Sequence, residues 1–207
     1  MNFVYLLGTG SQYYDEECKF SIRSVDKHHP TANVVIIGQK PPWYIGEHHP
    51  FTDENTKLIN IWDKMIYACS LFDEWILMND DFYLLSPLEP INYYISTFPN
   101  KRKEVGAMIK RSKDLYPESP NYMVHVPMFI KSSEFIKNIQ RNVSPRMVYC
   151  NNDSTYPTRE LEYDVKFKGI LTEYDVKSNP FFSLGNNWYC NRLFMGRLFP
   201  DKSKYER

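Results

Sequence analysis

Phe3-Val4-Tyr5-Leu6-Leu7 runs into Gly8-Thr9-Gly10-Ser11, and further on Val34-Val35-Ile36-Ile37 stops in the same way at Gly38. Each apolar run has the length of a buried strand and ends at residues that favour a tight turn. Between them, Asp15-Glu16-Glu17 sets carboxylates where a helix N-terminus attracts negative charge. Cys18, Ile22 and Val25 then recur at helical spacing until His28-His29-Pro30 ends the segment. Strand, helix, strand in so short a span is a βαβ unit, and its two strands run parallel. A second helix follows from Asn55 to Cys69, marked by an apolar stripe of Leu58, Ile61, Trp62, Met65 and Cys69. Trp75-Ile76-Leu77-Met78 is a third buried strand and breaks off at Asn79-Asp80-Asp81. The expected class is α/β, with a mostly parallel, Rossmann-like central sheet flanked by helices.

Beyond this block the pattern predicts strands at Val105 to Ile109 and Tyr122 to Val126. It also predicts a helix capped by Ser132 and running through Ile139, a helix from Thr158 through Phe167, and a strand near Ile170. Past Pro180 the aromatics, Gly and Asn show no regular period.

A chain of 207 residues with no linker reads as one domain with a substantial core. Lysine plus arginine equals aspartate plus glutamate, which removes any global field for nucleic acid or membrane. A local basic run remains: Lys101, Arg102, Lys103, Lys110, Arg111 and Lys113, opposed by Glu104. It reads as a solvated flank or as a polyanion-binding patch. Cys18, Cys69, Cys150 and Cys190 are scattered without metal-site spacing, and Cys18 and Cys69 fall among apolar residues as buried thiols. No run reaches the ~20 apolar residues of a membrane span. The opening Met1-Asn2-Phe3-Val4-Tyr5 lacks the basic start of a signal peptide, so a cytoplasmic location is expected.

Open α/β sheets bind ligands at the carboxyl ends of their strands. Adjacent carboxylates such as Asp80 and Asp81 repel each other unless a cation joins them, and a few hard oxygen ligands suit magnesium or manganese. The same triplet is also ordinary turn chemistry. Gly8, Thr9, Gly10 and Ser11 allow close backbone approach to a nucleoside, or form a simple tight turn. Lys57, Asn60 and Lys64 share one helical face, either solvated or turned towards a diphosphate. His125 stands apart from the His-His-Pro segments as a metal ligand, a leaving-group stabiliser or a packed imidazole. Glu160 and Asp164, four apart on the expected helix, and nearby Asp153 are candidate general bases or surface acids.

Ser21-Ile22-Arg23-Ser24-Val25, the strand ending Gly38-Gln39, Pro41-Pro42-Trp43 and Leu77-Met78-Asn79-Asp80-Asp81-Phe82-Tyr83-Leu84 resemble the central block of the Stealth family of sugar-phosphate transferases. The resemblance spans roughly Phe3 to Ser86, with a loose positional match at His125-Val126-Pro127. It implies a GT-A-like fold over 1–207, with 1–86 binding a nucleotide-sugar donor and 87–207 facing the acceptor. It further implies Mn2+ or Mg2+ at the Asp80-Asp81 pair, with Asp81 favoured as ligand and Asp80 touching the donor; His125 is a candidate further ligand by its own chemistry. Gly8, Thr9, Gly10, Ser11 and Lys64 would line the donor, and Asp153, Glu160 or Asp164 would supply catalysis. Where Stealth proteins carry an acidic residue after the first strand, this chain has Leu7-Gly8-Thr9-Gly10, which favours a minimal metal-dependent glycosyltransferase. Sugar-1-phosphate transfer, glycosylation of modified DNA bases, phosphohydrolysis and non-catalytic carbohydrate binding stand as alternatives. The acceptor is accordingly a glycan or modified DNA.

Overall fold

β1 (Asn2–Leu7), α1 (Glu16–His28) and β2 (Asn33–Gly38) form the βαβ unit, with β1 and β2 parallel and Val4 opposite Val35. The computed structural model describes residues 1–9, 15–96, 103–176, 180–185 and 187–207, with backbone alone for 103–106. β3 (Glu47–His49) adds to the outer side of β2, and α2 (Lys57–Leu71) leads into β4 (Glu74–Met78), parallel to β1. The next elements are β5 (Phe82–Leu84), β6 (Asn92–Tyr94), α3 (Lys103–Leu115), β7 (Met128–Lys131), α4 (Ser132–Lys137) and α5 (Pro145–Asn152). The chain closes with β8 (Thr158–Glu160), β9 (Lys166–Phe167), α6 (Glu173–Val176), β10 (Phe181–Leu184) and α7 (Trp188–Leu198).

The central sheet runs β3-β2-β1-β4-β7, parallel except for β7, which pairs antiparallel with β4 at the edge. It is a mixed, mostly parallel sheet with helices on both faces. Phe3, Val4 and Tyr5 are all fully buried because alternate side chains enter different cores. Phe3 and Tyr5 pack with Cys18, Ile22 and Val25 of α1, while Val4 packs with Trp62, Met65 and Ala68 of α2. Each large apolar side chain so buried is worth about 2 kcal/mol. Trp62 also donates its indole N–H to Val143 O at 2.9 Å, so its polar edge is satisfied inside the core.

A second, smaller sheet, β5-β10-β9, begins immediately after the Asp80-Asp81 turn. α1 locks it to the first sheet through two buried serines. The Tyr5 hydroxyl donates to Ser21 Oγ at 2.8 Å, Ser21 donates to Phe82 O, and Ser24 Oγ accepts from Leu84 N at 2.9 Å. The main chain on either side of Asp81 is therefore held from both sheets.

The later half departs from the periodic reading. Residues 105–109 lie in α3, not in a strand. Ile109 and Ser112 are buried three apart while Lys110, Arg111 and Lys113 face solvent, which is helical spacing. Tyr122 to Val126 is not a strand either, because β4 takes its antiparallel partner from Met128–Lys131, just past Pro127. No helix runs from Thr158 to Phe167. Thr158, Arg159 and Glu160 pair with Asn92, Tyr93 and Tyr94, and Lys166 and Phe167 pair with β10. Ile170 lies outside any strand and is 73% exposed. α4 starts at Ser132 but stops at Lys137, and Ser132 Oγ donates to Phe72 O instead of capping the helix. The stretch after Pro180 supplies β10, buried throughout, and α7.

No helix among the described residues is long and apolar enough to cross a membrane. Cys18 and Cys150 are buried, Cys69 is half-buried and Cys190 is exposed, and all are free thiols.

Candidate functional site

β4 delivers the chain to the carboxyl edge of the parallel sheet at Met78, and Asn79-Asp80-Asp81 turns it into β5. The turn closes through Phe82 N donating to Asn79 O at 3.3 Å. Asp81 is nearly enclosed, its side chain 13% exposed. One carboxylate oxygen, Oδ2, accepts from Lys166 Nζ at 2.9 Å and Ser183 Oγ at 3.0 Å. The other, Oδ1, is buried without a hydrogen-bond partner. Lys166 and Ser183 stand opposite each other in the β9–β10 pairing, so the second sheet presents both donors together.

Asp80 is held beside it. Burial, then the charge of Asp81, pushes the Asp80 carboxyl up to about 6, against its own backbone amide and Lys57 at the start of α2. A third carboxylate comes from α1. Burial, then Asp80 and Asp81, pushes Glu17 up to about 8, with Lys166 pulling the other way. The Tyr83 hydroxyl, fully buried and without a hydrogen-bond partner, completes the cluster. After burial, the charges raising it are those of Glu17, Asp81 and Asp80 in that order. Such mutual elevation marks a site short of positive charge.

The neighbouring strand ends form a rigid floor. Lys64 is 3% exposed, with Nζ 2.8 Å from Leu7 O and 2.6 Å from Asp53 Oδ1. Of the face named from the sequence, Asn60 and Lys64 are buried while Lys57 is exposed, and the Lys64 ammonium is satisfied within the chain. Gly38 has φ +120°, and a Cβ there would lie 1.9 Å from Leu7 O, so only glycine fits the turn. A Cβ at Gly8 would approach Asp53 Oδ2 to 3.2 Å. Gly8 and Thr9 are exposed at this edge, whereas Gly10 and Ser11 lie outside the described residues.

His125 is engaged by a carboxylate of another kind. Its Nδ1 is 2.7 Å from Asp164 Oδ2, and its backbone N–H donates to Asp164 Oδ1 at 3.1 Å. Burial works to raise the Asp164 carboxyl, but the His125 hydrogen bonds and charge, aided by Lys166, hold it below the usual range. The imidazole is thereby oriented, and its Nε2 has no partner among the described residues. Arg146 lies between this pair and the Asp81 turn. Its guanidinium donates to Val126 O at 2.6 Å and stands over the Phe82 ring at 5.6 Å. Burial lowers it to about 10 against the opposing pull of Cys150, Asp164 and Asp81.

The fold thus brings together Asp80, Asp81, His125 and Asp164 among the expected residues. Lys166, Arg146 and Ser183 join them without a sequence signal beyond their residue type, as do Glu17, which the sequence marks only as part of a helix start, and Tyr83, which lies in the quoted block after Asp81. Glu160 and Asp164 share no helical face, since 158–160 is a strand and Asp164 follows in the loop before β9. Glu160 is exposed on β8. Asp153 closes a local turn, accepting from Thr155 N at 2.9 Å and Thr155 Oγ1 at 2.6 Å.

Among the described residues no three His, Cys, Asp or Glu side chains form a ready-made metal cage. Magnesium-type sites do not require one, since water and ligand phosphate complete the shell around one or two carboxylates. The orphaned Asp81 Oδ1 and adjacent Asp80 fit that demand. His125, bonded to Asp164, does not extend the set through Nδ1. No protein-family model matches the chain, and no curated protein does.

Proposed function

We propose that this chain is a GT-A-type glycosyltransferase that moves a sugar from a nucleotide-sugar donor to an acceptor hydroxyl. The observation that carries the reading is Asp81, nearly enclosed at the carboxyl edge of the parallel sheet with one buried oxygen unpartnered, near an oriented His125–Asp164 pair. Asp81 and Asp80 would hold Mn2+ or Mg2+. When bound, that ion supplies positive charge to the departing diphosphate. Arg146 and Lys166 add fixed cations, and Gly8 and Thr9, exposed at the end of β1, would face the nucleoside. His125 Nε2 takes the proton of the acceptor hydroxyl as its oxygen bonds to the anomeric carbon. The bond from that carbon to the diphosphate oxygen breaks, and the diphosphate keeps the electron pair. Asp164 holds the imidazole in place and stabilises it once protonated.

Thermal shift against nucleoside diphosphates and nucleotide sugars, with and without Mn2+, tests the reading on wild type and Asp81→Ala. A ligand at ~100 times its dissociation constant adds about 2.7 kcal/mol, which is readily seen. One base should stabilise the wild type in a Mn2+-dependent way, and the substitution should abolish it. No stabilisation by any nucleotide refutes the transferase. Product mass then separates transfer of a glycosyl group from transfer of a sugar-1-phosphate.

A further inference from the structure

Lys166 is the only cation that the described hydrogen bonds place on Asp81, and it sits where several negative charges converge. Its Nζ is 2.9 Å from Asp81 Oδ2, and the same ammonium acts on Glu17 and on Asp164. Its side chain is a quarter exposed, against 13% for Asp81. Ser183 Oγ holds the same oxygen from β10 at 3.0 Å. Asp81 Oδ1 and the Tyr83 hydroxyl, the latter wholly buried beside Glu17, Asp81 and Asp80, are left without partners. The cluster thus has unused oxygen donors, yet a tethered positive charge guards it.

We propose that the Lys166 ammonium is a built-in competitor for the cation at Asp81, so that the site takes a divalent ion tightly only together with a diphosphate-bearing ligand. The inference rests on the donor-site reading and goes beyond it by setting the order of binding. A free divalent ion meets both the repulsion of the ammonium and an Asp81 oxygen already engaged. A diphosphate brings negative charge that offsets both cations and gives the ammonium a second acceptor. Metal and donor therefore enter as one complex, and a free ion alone does not hold the site.

The test is Mn2+ binding to the full chain, followed by the loss of the free-ion electron paramagnetic resonance signal. Lys166→Gln removes the charge but keeps a donor for Asp81, and Lys166→Arg keeps the charge. Lys166→Gln should bind Mn2+ at least tenfold tighter than wild type, Lys166→Arg should stay as weak as wild type, and Lys166→Gln with Asp81→Asn should lose the gain. Equal affinity in wild type and Lys166→Gln overturns the proposal. If that shared affinity disappears with Asp81→Asn, the donor-site reading survives. Absence of Mn2+ binding in every variant also overturns the competitor role, and the donor-site reading then falls only if Mn2+ with nucleoside diphosphates fails to raise the melting midpoint as well. Melting of the wild type provides a check that needs no variant. Mn2+ alone should leave its midpoint unchanged, whereas Mn2+ with a pool of nucleoside diphosphates should raise it. Equal stabilisation by Mn2+ alone overturns the competitor role.

Discussion

Replacing Glu17 by Gln should make the protein more stable at pH 8 and leave it unchanged near pH 4.5. Burial, and then Asp80 and Asp81, raise the Glu17 carboxyl from 4.5 to about 8, so the folded state resists its ionisation. Below pH 4.5 the residue is protonated in both states and contributes no difference. As pH rises the unfolded chain ionises first, and stability falls until the folded state follows near pH 8. At 1.36 kcal/mol per pH unit, that interval sets a ceiling of about 5 kcal/mol. Partial exposure of Glu17 and solvent screening reduce this to about 2 kcal/mol. For a chain of this size that is a rise of roughly 4–8 °C in midpoint. Glutamine keeps the shape and removes the charge, so the gap between the two proteins isolates ionisation. Thermal or urea unfolding of both, in chelator, across pH 4.5 to 8.5 gives the curve. A gap of equal size at both ends, or a less stable variant at pH 8, would refute the crowding of carboxylates.

Arg23→Ala should cost about 3 kcal/mol, because it strands Glu206, whose side chain is 2% exposed and takes two 2.8 Å bonds from Arg23. Urea unfolding measures the loss, and hydrogen exchange should rise at Ser203 and Tyr205, which this clasp ties to α1. His125→Ala should lower turnover by about 10²- to 10⁴-fold while Kd for the donor, read by thermal shift, stays within about twofold. Asp164→Asn should lower turnover less and alter the pH profile, since the imidazole remains but its partner charge is gone. A donor affinity that falls with turnover in either variant would move the pair into the donor site.

Legibility in the sequence tracked the reach of each interaction. β1, α1, β2, α2 and β4 were readable because each is fixed by its own period: two buried faces for the strands, one stripe for the helices. Sheet edges defeated the same reading. β6, β8 and β9 have two or three residues each and owe their form to partners distant in the chain, as with Asn92 opposite Thr158. Leu161 and Val165 carry helical spacing, yet pairing of the residues on either side leaves 161–165 as a bent loop between β8 and β9. β10 offered a local signal in Phe181-Phe182-Ser183-Leu184, a short run between Pro180 and Gly185.

The candidate site divides along the same line. Asp80 and Asp81 were legible because a buried strand ending in two carboxylates states a chemical problem locally. Its resolution is not local: Lys166 and Ser183 reach Asp81 across 85 and 102 residues. Asp164 reaches His125 across 39. No period in the sequence encodes those distances. A strand ending therefore announces that charge must be compensated, and the later half of the chain decides by what. In this protein one Asp81 oxygen is compensated by an amine and a hydroxyl, while the other is left open. An enclosed carboxylate oxygen without a donor costs free energy unless a ligand supplies one. That half-answered charge, rather than the acidic triplet by itself, is what supports the proposal of a divalent ion and diphosphate at this edge of the sheet.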